Sequence, residues 1–203
     1  MPPRATPRTG LRIIAGALKG RRLLSPAWTG LRPTSDRLRE TLFNVLGETC
    51  RGASVLDAFA GTGAVGIEAV SRGAAHVMFV DHDPRAIALI HQNLARCGVT
   101  DRYTIERMDL ARGAPLPAVA WAKAGAFDLI FLDPPYEMNA LDVCGALSAS
   151  LAPEGRLVLE HARRRVIPDT SAGLRRMRTV TAGDSAISFF QREPTEPEDD
   201  EAA

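Results

Sequence analysis

The stretch DAFAGTGAVGIEA, residues 57–69, places Gly61, Gly63 and Gly66 in a G-x-G-x-x-G spacing at the end of the apolar run SVLDAF (54–59). An apolar run bounded by glycines reads as a short buried strand, and the residues behind it as a helix near 64–72. Gly61 and Gly63 allow a sharp turn and a close ligand approach, and Gly66 allows the helix to pack tightly on the strand. The alternation continues outward from there. HVMFVD (76–81) is a second strand, followed by a helix from Pro84 to about Arg96, and YTIERMD (103–109) is a third. After a Pro/Ala-rich, partly loop stretch (111–126), FDLIFLD (127–133) is a fourth strand, with a helix near 139–151 behind it. GRLVLEH (155–161) is a fifth, and LRRMRTVTAGDSAISFFQR (174–192) reads as two strands joined at Gly183-Asp184. This order predicts an α/β fold: a parallel sheet covered by helices on both faces, with a terminal hairpin adding antiparallel strands at one edge.

Ligands of open α/β sheets sit beyond the carboxyl ends of the strands. Asp57, Asp81, Asp109 and Asp133 all fall at such ends. On spacing alone the glycines and Asp81 would suit a nicotinamide dinucleotide, but a lone G-x-G-x-x-G serves S-adenosylmethionine equally. Asp57 favours the second ligand. A pyrophosphate wants amides at that place and not an anion, whereas a carboxylate suits an amino group and a sulfonium. Asp81 can accept from both ribose hydroxyls. A tight turn holding no ligand is the plainer alternative.

DPPY, residues 133–136, ends the fourth strand, two strand positions across the sheet by this reading. Pro134 and Pro135 preset the backbone and remove two N–H donors, leaving the Asp133 carboxylate and the Pro134 carbonyl as acceptors. Tyr136 offers a flat face for stacking. Such a site fits an exocyclic amine on a planar base. Two acceptors would favour a pyramidal nitrogen, restore its lone pair and stabilise the positive charge that develops on attack at a methyl group. Alignment supplies the rest of the acceleration, and Asp133 can take the proton during or after transfer. A rigid Pro-Pro turn is the alternative.

The 203 residues suit one domain with a small appendage, and 45% hydrophobic with 24% charged content is ordinary for a soluble protein. No apolar run approaches the ~18 residues of a membrane span, and MPPRATPRTG is no secretory signal, so a cytoplasmic protein is expected. Cys50, Cys97 and Cys144 are too scattered for disulfides or a metal knuckle and read as buried apolar residues. His76, His82, His91 and His161 do not pair with Cys or carboxylates at ligand spacing, so no metal is expected. The net charge of +1 conceals an asymmetry: residues 1–51 hold ten Lys/Arg against three acids, while EPTEPEDDEAA (193–203) holds six acids and no base. A basic arm points to a phosphate-rich partner or to a merely solvated surface. In that arm LRIIAG (11–16) and RRLL (21–24), separated by ALKG, can pair as a hairpin. TSDRLRETLFNVLGE (34–48) reads as a helix, placed by Pro33, capped by Thr34 or Ser35, with Leu38, Leu42, Val45 and Leu46 on one face.

Strand–DAFAGTG–helix, then VDHD, then FLDPPY, resembles the class I methyltransferase domain with its amino-methylating D/N-P-P-[YFW] motif. RIIAGALKGRRL followed by LRPTSDRLRETLFNVL is more particular and resembles the RsmD family, which methylates N2 of one guanine in bacterial 16S rRNA. The likeness runs from about residue 11 to 192. It implies a Rossmann-like, seven-stranded, mostly parallel sheet with an antiparallel last strand, preceded by a small hairpin/helix extension. It implies S-adenosylmethionine as methyl donor. Asp57 and the loop Ala60, Gly61, Thr62, Gly63 would hold the methionine portion, Asp81 with His82 of the VDHD motif the ribose, and Asp109 the adenine amine. Asp133, Pro134, Pro135 and Tyr136 would hold the guanine, and Arg12, Lys19, Arg32 and Arg37 would grip RNA phosphates. ARRR (162–165) is either a further contact or a solvated run.

The expected organisation is a basic RNA-binding extension (1–51), a methyltransferase domain (52–192) and a disordered acidic tail (193–203), acting as a monomer on 16S rRNA in the small subunit or its assembly intermediate. DPPY alone leaves a DNA adenine-N6 methyltransferase open. A nicotinamide oxidoreductase would lack a proton relay, and a non-catalytic RNA-binding module would use the arm alone.

Overall fold

The computed structural model describes residues 8–26, 36–110, 126–135 and 138–193, with side chains from residue 10 onward. The expectations for Arg32, Pro33, Thr34, Ser35, Tyr136, the stretch 111–125 and the tail from 194 lie outside the described residues.

In chain order come β1 (Arg8–Arg12), β2 (Arg22–Ser25), α1 (Asp36–Leu46), β3 (Ser54–Ala58), α2 (Ala64–Ser71), β4 (His76–Asp81) and α3 (Pro84–Cys97). Then follow β5 (Tyr103–Arg107), β6 (Phe127–Leu132), α4 (Ala140–Ser148), β7 (Leu151–Ala162), β8 (Thr170–Ser171), β9 (Leu174–Ala182) and β10 (Ser185–Arg192). The main sheet has the order β5-β4-β3-β6-β7-β10-β9-β8. Strands β3 to β7 are parallel, as strand–helix alternation requires.

Two expectations change. The sheet has eight strands, not seven, because two-residue β8 pairs with the start of β9. And β6, which carries the DPP turn, lies directly beside β3, not two positions away. The terminal hairpin does add antiparallel strands at one edge, with β10 lying between β7 and β9 and antiparallel to both.

Side chains alternate across the strands and divide the core. Val55, Phe79, Phe131, Val158 and Ile187 face α1, α2 and α3. Leu56, Met78, Ile130, Leu132, Leu159 and Phe190 face α4. Helix α3 starts where Asp83 accepts the Arg85 N–H with Pro84 behind it, and stops at Gly98 in the left-handed region (φ 67°).

The N-terminal segment is part of this core. Leu11, Ile13, Leu23, Leu38, Leu42, Phe43 and Leu46 are buried against the β3 face. Its strands sit slightly outside the expected ones, because residues 13–21 form the connection, closed by Ile13 N–H to Arg21 O (2.9 Å) and Gly20 N–H to Ile13 O (2.9 Å). The connection is pinned to α2. Glu68, fully buried, accepts the N–H groups of Ile14 (2.7 Å) and Ala15 (3.0 Å), and Ser71 Oγ accepts that of Leu18 (2.9 Å). Gly16 is required at this contact: a Cβ there would fall 2.0 Å from the Ser71 carbonyl oxygen. Arg39, also fully buried, donates to Asp36 (2.6 Å) and to Arg12 O (2.8 Å) and lies 4.0 Å from Glu68. Arg39 therefore belongs to the interior. Part of the arm's positive charge is structural and never reaches the surface.

Candidate active site

The glycine loop leaves β3 through backbone that ordinary side chains rarely adopt. Phe59 (φ 62°), Gly61 (φ 55°) and Gly63 (φ 74°) are all left-handed, and the non-glycine Phe59 is an unusual residue to hold there. Sequence reading did not flag Phe59. Gly66 works by proximity: a Cβ would meet the Phe79 ring at 2.2 Å and Asp57 Oδ2 at 2.9 Å. That closeness lets the Gly66 N–H donate to Asp57 Oδ2 (2.8 Å), so the carboxyl caps the first turn of α2 from below.

Asp57 is 4% exposed. Burial pushes its carboxyl up to about 7, opposed by the Gly66 hydrogen bond and reinforced by the nearby Asp81 charge. Asp81, the last residue of β4, has each oxygen fixed by a backbone donor: Gly61 N–H to Oδ2 (2.8 Å) and Asp83 N–H to Oδ1 (2.9 Å). This cradle of an oriented carboxylate, a buried acid and small residues matches the donors of a nucleoside bearing an amino-acid tail. The structure thus brings Asp57, Ala60, Gly61, Thr62, Gly63 and Asp81 together. His82 is mostly exposed, its Nδ1 3.6 Å from Asp81 Oδ1. Asp109 follows β5 in a segment tied to the end of β4 by the Met108 N–H to Asp81 O bond (3.0 Å).

Asp133-Pro134-Pro135 leaves β6 at the same carboxyl end of the strands. Pro134 is buried, and the Pro135 carbonyl accepts the Met138 N–H (3.0 Å), which folds the turn back. Arg165, in the basic run after β7, donates through both terminal nitrogens to Met138 O (3.1 Å each). One arginine of ARRR therefore braces the DPP turn, a role its sequence context did not signal. A small pocket (≈ 30 Å³) connects the two halves, lined by Asp57 and Asp133 with Leu42, Phe131, Val158 and Glu160 among others. Leu42 brings α1 to the pocket wall. Glu160 was not singled out from sequence. Its signal was available, since like the four aspartates it is an acid near the carboxyl end of a strand.

The basic candidates separate. Arg37 is exposed near the start of α1, and Arg12 is largely exposed with its Nε 3.5 Å from Asp36. The contact of Arg39 with Ala64 O places this group by the first residue of α2, close to the glycine loop. Lys19 lies in the turn held by Ser71, the last residue of α2. It is one helix length, roughly 12 Å, from the loop. All three cysteines are buried, with thiols raised by desolvation, to about 12 for Cys50 and Cys144. None reaches the site.

Comparison with known proteins agrees with this geometry. The family model described as "Conserved hypothetical protein 95" matches residues 11–191. The chain is 38% identical to "Putative rRNA methyltransferase YlbH" of Bacillus subtilis, over 90% of this chain and 99% of that protein. It is 33% identical to "Ribosomal RNA small subunit methyltransferase D" of Escherichia coli strain K12, over 90% of both. The solved structure "Putative methyltransferase yhhF from Escherichia coli" superposes with a TM-score of 0.77 at 30% identity, covering 93% of this chain and all of that one. With its wound sheet, glycine loop and DPP turn in the arrangement described, this chain belongs to the methyltransferase family of ribosomal RNA small subunit methyltransferase D.

Proposed function

We propose that this protein methylates the exocyclic N2 amine of a guanine in 16S rRNA, within the small subunit or its assembly intermediate. The observation that carries the reading is the adjacency of β3 and β6, which sets Asp133 and Asp57 on one pocket. S-adenosylmethionine, when bound, supplies an electrophilic methyl group on a sulfonium sulfur. Asp57 and the loop Ala60–Gly63 would hold its amino-acid end, Asp81 with His82 its ribose, and Asp109 its adenine amine. The two backbone donors on Asp81 leave its remaining lone pairs for hydroxyls, and no metal is called for.

On the substrate side, Asp133 and the Pro134 carbonyl accept from the amine, localise its lone pair and stabilise the charge that builds as it attacks. Asp133 is exposed enough to pass the released proton to water. Tyr136 stacks on the base. Arg12, Lys19, Arg32 and Arg37 meet phosphates on one flank, and Arg163 and Arg164 do so on the other. The relatives named for small-subunit rRNA support that substrate class.

The test is labelled methyl transfer to 30S particles from a strain lacking the enzyme, with the modified nucleoside identified by mass spectrometry. N2-methylguanosine is expected, and N6-methyladenosine would overturn the reading. Asp133→Ala should cut turnover by about 10²-fold or more while RNA affinity stays near wild type.

A further inference from the structure

We infer that Glu160 reads the ring N–H beside the target amine and thereby selects guanine over adenine and cytosine. The inference rests on the guanine-N2 reading above. Strand β7 runs parallel to β6 with Leu132 level with Leu159, so one residue further on Asp133 is level with Glu160. Glu160 shares the strand face of Val158, as Asp133 shares that of Phe131, and both carboxylates line the same pocket. Neighbouring strands lie about 4.8 Å apart, which sets two acceptors side by side along one edge of a planar ligand.

The three amine-bearing bases differ at the atom next to the amine. In guanine, N2 is flanked by N1–H, a donor. In adenine the neighbour of N6, and in cytosine the neighbour of N4, is a bare ring nitrogen with a lone pair. A DPP turn grips any of these amines, so it does not choose among them. A second carboxylate beside it does: it accepts from guanine N1–H and repels the ring-nitrogen lone pair that adenine and cytosine present instead.

The probe is 2-aminopurine, which keeps the N2 amine and replaces N1–H with a lone pair. The wild-type target guanine is first mapped by mass spectrometry, and RNA carrying 2-aminopurine at that position is then assembled into the particle. Wild-type kcat/KM should fall by roughly 10²-fold or more for 2-aminopurine. Glu160→Gln, whose amide can donate to N1, should narrow that ratio at least tenfold. The fluorescence of the 2-aminopurine RNA should report tighter binding to the variant than to wild type. Thermal melting and cofactor titration check that the variant is folded, and the wild-type ratio tests the idea without any variant. Equal wild-type rates on the two bases would overturn the inference, as would a Glu160→Gln variant that loses activity on both alike. In either case N2-methylguanosine as the wild-type product would leave the guanine-N2 reading standing. Methylated adenine would instead remove that reading, and the inference with it.

Discussion

Asp57, proposed to hold the cofactor, carries a cost in the unliganded protein. Its carboxyl is raised to about 7, so the folded state holds a proton more firmly than the unfolded chain does. The stability it contributes is full below about pH 4 and is lost as pH rises toward 7. Asp57→Asn keeps an oxygen for the Gly66 N–H and removes the ionisation. The unliganded variant should therefore be more stable than wild type at pH 8, by on the order of 2–4 kcal/mol, with a smaller margin at pH 5. Urea unfolding at both pH values measures this, and an equal margin at both would contradict it. The variant should also lose cofactor affinity by calorimetry. Asp57, Asp81 and Asp133 were legible because each ends an apolar run in a fold whose ligands gather there. Glu160 carried a weaker signal: it is an acid near a strand's carboxyl end but lies inside β7, two residues short of its last, and only the register sets it level with Asp133. Phe59 was hidden, since a positive φ at an aromatic residue follows from the turn around it.

Helices and strands came through the sequence well wherever apolar period and glycine punctuation agreed. Pro84 to Cys97 falls within a residue of the expected helix. What did not come through is how elements are tied together. Arg39 looked like one more cation of a basic arm, yet it is buried with Glu68, whose oxygens also hold the backbone of Ile14 and Ala15. Glu68→Ala strands both amides, removes the partner of Arg72 Nε (2.9 Å) and leaves the Arg39 guanidinium to Asp36 and the carbonyls of Arg12 and Ala64, and should cost about 3–5 kcal/mol. The paired replacement Glu68→Leu with Arg39→Met should recover only part of this, because the Ile14 and Ala15 amides stay unpartnered. Denaturant titration gives the energies, and hydrogen exchange at residues 14 and 15 gives the local opening; full recovery would mean the charges alone mattered. Asn93 makes a similar tie. Fully buried on α3, it accepts from Leu24 N–H (2.7 Å) and donates to Leu24 O (3.1 Å) and Thr62 O (2.8 Å), joining β2 to the glycine loop.

At the scale of the molecule, positive charge gathers beside the segment that follows the DPP turn, where Arg165 donates to Met138 O. Beyond Arg165 a groove of about 540 Å³ runs along β9, lined by Arg163, Arg165, Arg176 and Arg178. It also holds Val166 and Met177, the exposed large apolar side chains among the described residues. If this flank meets phosphates, Arg163→Ala with Arg178→Ala should weaken RNA binding and lower the slope of log affinity against log salt by about 0.7–0.9 per lost contact. Cofactor affinity should not move; an unchanged slope would assign the RNA to the other flank. The position of β10 has a consequence of a different kind. Among the described strands it is the last to leave a ribosome during synthesis, yet it sits between β7 and β9. Until it emerges, β7 shows an open edge and β9 has no parallel sheet to join. The strand that bears Glu160 is thus sealed last, and a nascent chain stalled before residue 185 would carry its glycine loop beside an unfinished wall of the pocket that Asp133 and Glu160 line.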